Sequence, residues 1–200
     1  MGISIEDVKK LRDLTGVGLT DAKKALEESE GNFDKALEEM RKKGLTRAEK
    51  KGDREARMGL VDSYVHDNRI GVVIEVNCET DFVARLDDFK TLVHEVAMQV
   101  AAMSPQFVSE ADIPEDEYAR VKQELLESDA LKSKPAEMQD KIVEGQIKKH
   151  FADKVLMSQA YILDDSKTVE GHIKESIAKL GENILVRHFR RSMVLANKFI

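Results

Sequence analysis

Apolar residues in the first 44 positions recur at helical spacing, in three short groups separated by turn residues. Ile5, Val8 and Leu11 form the first group; Ser4 stands ready to cap it, with Asp7 three residues on as in a capping box, and Thr15-Gly16 closes it. Thr20 or Asp21 opens a second group, Ala22, Ala25 and Leu26, which Gly31 ends. Asn32 caps the third, whose inner face is Phe33, Ala36, Leu37 and Met40. Residues 1–44 are therefore predicted to form a three-helix module, near the lower size limit for an independent fold.

Residues 45–57 carry Arg47, Lys50, Lys51, Arg54 and Arg57 without a consistent apolar face, and read as an exposed linker with some helix. The pattern then changes. Met58 to His66 and Ile70 to Cys78 are rich in Val, Ile and Tyr, and Asp67-Asn68 between them are turn residues, which predicts a β-hairpin. Asp87 or Asp88 caps a long helix striped by Phe89, Leu92, Val93, Val96, Ala97, Val100 and Ala101, and the hairpin is the nearest cover for that stripe. After an irregular stretch, helices are predicted at 115–127 and 136–156, parted by Ser133 and Pro135. A short apolar piece, Ala160 to Leu163, leads to a polar turn at Asp164-Asp165-Ser166. A helix from Thr168 to Leu180 ends at Gly181, and Asn183 to Val194 is β-like and placed to complete an antiparallel sheet with the hairpin. The predicted class is α+β: the three-helix module, the linker, and a 58–200 core of three-stranded antiparallel sheet packed with helices.

Composition narrows the function. A net charge of −6 and the absence of Trp argue against a protein that works chiefly by binding nucleic acid. A single cysteine, Cys78, fits a reducing compartment. No apolar run of about 18 residues occurs and no signal-peptide pattern opens the chain, so the expectation is a cytoplasmic protein without a membrane partner.

Catalytic chemistry leaves no trace in the motifs. Gly16-Val17-Gly18 has no strand before it and reads as a helix–helix turn, not a phosphate loop. The five histidines, His66, His94, His150, His172 and His188, stand in no metal-ligand spacing. Cys78 reads as a small buried residue at a strand end; a nucleophilic role would need a base and an orienting group to meet it in space. No enzyme activity, catalytic residue, metal site or cofactor is expected.

The segment Asn77-Cys78-Glu79-Thr80-Asp81-Phe82-Val83-Ala84-Arg85 stands apart, with an acid beside a large aromatic between a strand and a helix. Two readings are open: Phe82 plugs the core while Asp81 caps the next helix, or the pair projects from a rigid support. Thr80-Asp81-Phe82-Val83 is similar to the signature of the bacterial elongation factor Ts family. Val8-Lys9-Lys10-Leu11-Arg12, Thr15-Gly16-Val17-Gly18, Asp21-Ala22-Lys23-Lys24-Ala25-Leu26 and Gly31-Asn32-Phe33-Asp34-Lys35-Ala36 also resemble it. So do Asp164-Asp165-Ser166-Lys167-Thr168-Val169 and Ala178-Lys179-Leu180-Gly181-Glu182-Asn183-Ile184. The resemblance runs in order along almost the whole chain and weakens after Arg187.

That resemblance implies a nucleotide-exchange factor whose partner is elongation factor Tu in its GDP-bound form. It implies that Thr80, Asp81, Phe82 and Val83 enter the GTPase and disturb its Mg²⁺ site, and that the N-terminal module makes a second contact. The module is also similar in pattern to ubiquitin-associated domains, and its best-placed surface residues are Val17, Gly18 and Leu19; a purely structural role for that turn stands beside a binding one. The chain matches the family's short form, which implies a homodimer built from the 58–200 core. The alternative is a ribosome- or RNA-associated protein using the basic linker with Arg187, Arg190, Arg191 and Lys198.

Overall fold

The computed structural model describes residues 3–127 and 136–194. Three helices open the chain: α1 (Ile5–Thr15), α2 (Leu19–Glu28) and α3 (Phe33–Glu49). Leu11, Ala22, Ala25, Leu26, Ala36 and Met40 form their common core. The Ser4 hydroxyl accepts from the Glu6 N–H and Asn32 Oδ1 from the Lys35 N–H. The capping box with Asp7 is thus a simpler cap two residues deep. The second helix starts at Leu19 behind Gly18, so Thr20 and Asp21 lie within its first turn instead of opening it.

The third helix continues past Gly44 to Glu49. Small residues explain the extension: Gly44 and Ala48 turn toward a later helix, and Ala48 joins the main core. A Cβ at Gly44 would stand 3.2 Å from the Ala178 Cβ, so glycine permits the close approach. Gly16, which ends α1 at φ +67, is held as closely: a Cβ there would meet the Lys179 backbone.

The core is a three-stranded antiparallel sheet in the order β1 (Met58–His66), β2 (Ile70–Cys78), β5 (Ile184–Met193). Asp67 and Asn68 make the hairpin turn at φ +49 and +54, left-handed values that Asp and Asn tolerate. Val72, Ile74, Val76 and Cys78 alternate onto the buried face of β2. They meet Phe89, Leu92, Val93, Val96, Ala97 and Val100 of α5 (Asp87–Met103), together with Val169, Ile173 and Ile177 of α8 (Val169–Leu180). Leu86 occupies the cap position of α5 without a side-chain bond; Asp87 and Asp88 lie in the first turn, where their charge suits the helix dipole. A four-residue helix, α4 (Asp81–Ala84), links β2 to α5.

Helices α6 (Glu115–Leu126) and α7 (Ala136–Phe151) share a satellite core of Val121, Val143, Ile147 and Phe151, with Val155 beyond. Ser133 and Pro135 lie outside the described residues. The polar turn expected at Asp164-Asp165-Ser166 is instead the start of β4 (Asp164–Thr168), paired with β3 (Ala160–Tyr161). The turn falls on Ile162 and Leu163 because the fully buried Gln99 amide grips it: Oε1 accepts from the Ile162 N–H and Nε2 donates to the Ala160 carbonyl.

The segment after α3 is tied to the loop before β5: Lys51 donates to the Gly181 carbonyl, and Asn183 donates to two backbone carbonyls. Buried Asn183, just before β5, donates from Nδ2 to the carbonyls of Gly52 and Arg54 at 3.1 and 2.7 Å. Asn183→Ala removes both bonds, which is expected to cost about 1–3 kcal/mol and to free the chain near Lys51 and Arg54. Faster trypsin cleavage there, read by mass spectrometry of native protein, checks it; unchanged cleavage and melting would remove the tether's role.

Candidate functional site

Strand β2 runs into the signature segment at Asn77 and Cys78. The Cys78 thiol is buried and donates to the Thr80 carbonyl at 3.1 Å. Burial, and then the negative charge of Glu182, push its pKa up to about 11. The thiol is therefore protonated at neutral pH, the opposite of an activated nucleophile.

Thr80 caps α4, its hydroxyl accepting from the Val83 N–H at 3.4 Å. The four signature residues then separate by direction. Val83 is buried in the main core and anchors the turn. Asp81 is half-buried and pairs with Arg85 at 2.7 Å, so it belongs to the first turn of α4 and caps no later helix. Phe82 is 77% exposed. The core-plug reading of Phe82 is excluded: the ring projects.

A second grip comes from far along the chain. Glu182, between α8 and β5, accepts from the Glu79 N–H at 3.1 Å and the Thr80 N–H at 2.9 Å through Oε2, and from the Thr80 hydroxyl at 2.6 Å through Oε1. The gesture is returned. Glu79 Oε1 accepts from the Asn183 N–H at 2.7 Å, and Arg54 stands 3.5 Å from the same carboxylate. Sequence reasoning missed Glu79, Glu182 and Asn183 as parts of this site; their only signal was the pair of family-like stretches about the signature and Gly181.

The first inter-helix turn lies close by. Val17 is half-buried against the module core, Gly18 is exposed, and Leu19 is 49% exposed. Val17 and Gly16 line a cleft of about 480 Å³ with Arg12, Leu86, Asp88, Lys179 and Leu180. Leu86 follows the signature segment directly, so Val17 of the first inter-helix turn and the residue after that segment face the same cleft, which Thr80, Asp81, Phe82 and Val83 do not line. Lys179 bridges it to Asp88 at 2.8 Å.

The basic residues of the RNA alternative are largely engaged within the chain. Arg47 pairs with Asp21, Arg54 with Glu79 and Arg57 with Glu55, while Arg191 donates to the Ala101 carbonyl. Lys198 lies outside the described residues. His94, His172 and His188 each face one carboxylate, of Asp62, Glu95 and Glu75, and among the described residues no group of three or more potential ligands is placed to hold a metal. No described helix is long and apolar enough to cross a membrane.

The raised pKa has a direct test. At pH 8 a thiol with a pKa of about 11 is ionised to roughly one part in a thousand. Cys78 in the native protein is expected to react with iodoacetamide far more slowly than in urea, where its pKa falls back to the ordinary value. The native rate should climb only as the pH passes well above 9. Rapid native labelling at pH 8 would contradict the burial.

Comparison with known proteins agrees with the signature. The family model described as "Elongation factor TS" matches residues 4–176. An elongation factor Ts from Coprothermobacter proteolyticus is 52% identical over 96% of this chain and 98% of its own length. One from Thermotoga neapolitana is 50% identical over 96% of each chain. One from Thermosynechococcus vestitus, 53% identical over 94% of this chain, is matched over only 64% of its own length and is thus a longer form. With Thr80-Asp81-Phe82-Val83 displayed as described and the likeness spanning nearly every residue, the chain belongs to the elongation factor Ts family of translation elongation factors.

Proposed function

We propose that this chain is the guanine-nucleotide exchange factor of elongation factor Tu. It binds the GDP-bound GTPase and inserts Phe82 so that the partner's Mg²⁺ shell is disturbed, GDP leaves and GTP can enter. The observation that carries the reading is the 77% exposure of Phe82 on a segment gripped at both ends. Mg²⁺ bridges nucleotide phosphates to protein oxygens, so displacing that shell weakens nucleotide binding. Exchange of this kind makes and breaks no covalent bond, which agrees with a site holding a wedge and no activated nucleophile. We place the activity in the cytoplasm, where translation runs.

Val17, Gly18 and Leu19 supply the second contact in this reading, with Arg12 and Leu86 lining the cleft beside them. Coupling is reciprocal: by whatever factor the bound chain weakens nucleotide, nucleotide weakens the bound chain. The chain needs no preference between GDP and GTP, because their concentrations decide which enters.

We further propose a homodimer. Val61, Val65 and Val73 are exposed on the outer face of the sheet, where Val61 stands opposite Glu75, Val73 opposite Arg190, and Glu75 opposite His188. Apolar residues flanked by charges of both signs suit a second copy of the same face about a twofold axis. Sedimentation equilibrium of Val73→Asp is expected to give a monomer where the unaltered chain gives a dimer; a monomer mass for the unaltered chain at micromolar concentration would remove the proposal.

The exchange reading is tested on Phe82. Phe82→Ala deletes a ring that folding barely buries, so stability should change by no more than about 0.5 kcal/mol. The contact it makes with the GTPase is worth about 1.5–3 kcal/mol, so release of labelled GDP from elongation factor Tu should slow roughly ten- to hundred-fold. Leu19→Ala should instead raise the concentration needed for half-maximal exchange, leaving the maximal rate nearly unchanged. A Phe82→Ala protein that melts normally and exchanges normally would overturn the assignment.

A further inference from the structure

We propose that Glu182 is a positioning residue for exchange: it fixes where Phe82 stands without itself touching the partner. The inference rests on the reading of Phe82 as the wedge.

A helix of four residues closes barely one turn and has no stability of its own. The ring of Phe82 meets little of the protein, so it cannot orient itself by packing. Val83 anchors the turn on the side away from the ring. The lead-in to the turn is held by Glu182, whose carboxylate takes two backbone N–H groups and one hydroxyl, ending two residues before Phe82.

The hydroxyl bond matters in its direction. Because the Thr80 hydroxyl donates its only proton to Glu182, its lone pairs are left to receive the Val83 N–H and start the turn. Glu182 is fixed in its own right. Gly181 ends α8 in the left-handed conformation at φ +82, and the next residue, Asn183, donates its backbone N–H to Glu79. Two loops about a hundred residues apart in sequence therefore hold each other by carboxylate-to-backbone bonds in both directions. Charge-assisted bonds of this type are short and directional, which suits a part that must not swing.

The test compares Glu182→Ala, Glu182→Gln, Phe82→Ala and the Glu182→Ala/Phe82→Ala double variant, each at full length, in labelled-GDP release from elongation factor Tu. Glu182→Ala is expected to lower the maximal rate about 10- to 100-fold, the scale of a misplacement near one ångström. Its half-saturating concentration should change little, because the N-terminal contact is intact. Glu182→Gln is expected to recover most of the rate, since its amide oxygen still accepts from N–H groups and its amide nitrogen can donate to Thr80 Oγ1. The double variant should be no slower than Phe82→Ala alone, because Glu182 acts through that ring.

Three results overturn the proposal while leaving the wedge intact. They are a normal maximal rate for folded Glu182→Ala beside a slow Phe82→Ala, a Glu182→Gln variant no faster than Glu182→Ala, or losses that multiply in the double variant. A normal rate for Phe82→Ala overturns the functional reading, and this inference with it. If Glu182→Ala does not fold, Thr80→Val carries the test: it removes the hydroxyl bonded to Glu182, and an unchanged maximal rate would overturn the proposal.

Discussion

A single helical turn cannot hold an exposed aromatic ring in place, and much of this fold is arranged around that limit. Nucleating one turn fixes about six backbone dihedrals for one hydrogen bond, so the turn at Asp81–Ala84 persists only because other elements grip it. Val83 supplies a hydrophobic anchor in the main core, and Glu182 supplies a polar one at Thr80. One grip is non-directional and strong in sum; the other is directional and local. Together they leave Phe82 the one large side chain of the turn free of the core.

The element that connects these grips is α8. Its body packs Val169, Ile173 and Ile177 against the sheet, while the side turned to α3 receives Ala48 and the close approach at Gly44. Near its end, the Lys179 backbone lies against Gly16 of the first inter-helix turn, and its C-terminal turn passes straight into Glu182 and Asn183. One helix thus sets the module, the tethered segment at 52–54 and the signature segment relative to one another. The two surfaces proposed for partner contact are far apart in sequence, yet each is referred to the last turn of α8.

What was legible in the sequence followed periodic burial. The stripe of α5 and the alternation of β2 appear in the residues because one face of each meets the core, and the left-handed hairpin turn appears because Asp67 and Asn68 favour it. The strand β5 was legible for the same reason, since Ile184 and Val186 are buried beside β2. Small residues and polar contacts were not legible. Gly44 and Ala48 look like interruptions in a charged stretch, because their use is to let another helix come close. The pairing of β4 was hidden since the residue that fixes its turn, Gln99, lies on another element about sixty positions away. Glu182 left no spacing rule at all, because a carboxylate that accepts from backbone N–H groups needs no particular residue type opposite it.

The exposure of Phe82 has an energetic meaning on the proposed reading. A ring already buried in the free protein would bring no new apolar area to a partner. An exposed ring contributes nearly all of its transfer free energy only on contact, and so its contribution differs between the free and bound states. That difference is what can shift the partner's equilibrium, since a ligand moves a conformational balance only by what it gains in one state over the other. Rigidity adds to the effect. A mobile ring would lose rotational freedom on insertion, and part of the gain would be cancelled; a ring on a turn pinned by Val83 and Glu182 has less left to lose. Holding the backbone of an exposed Phe while leaving its side chain uncovered is therefore consistent physics for a wedge, and it explains why the grips lie behind and before the ring and not upon it.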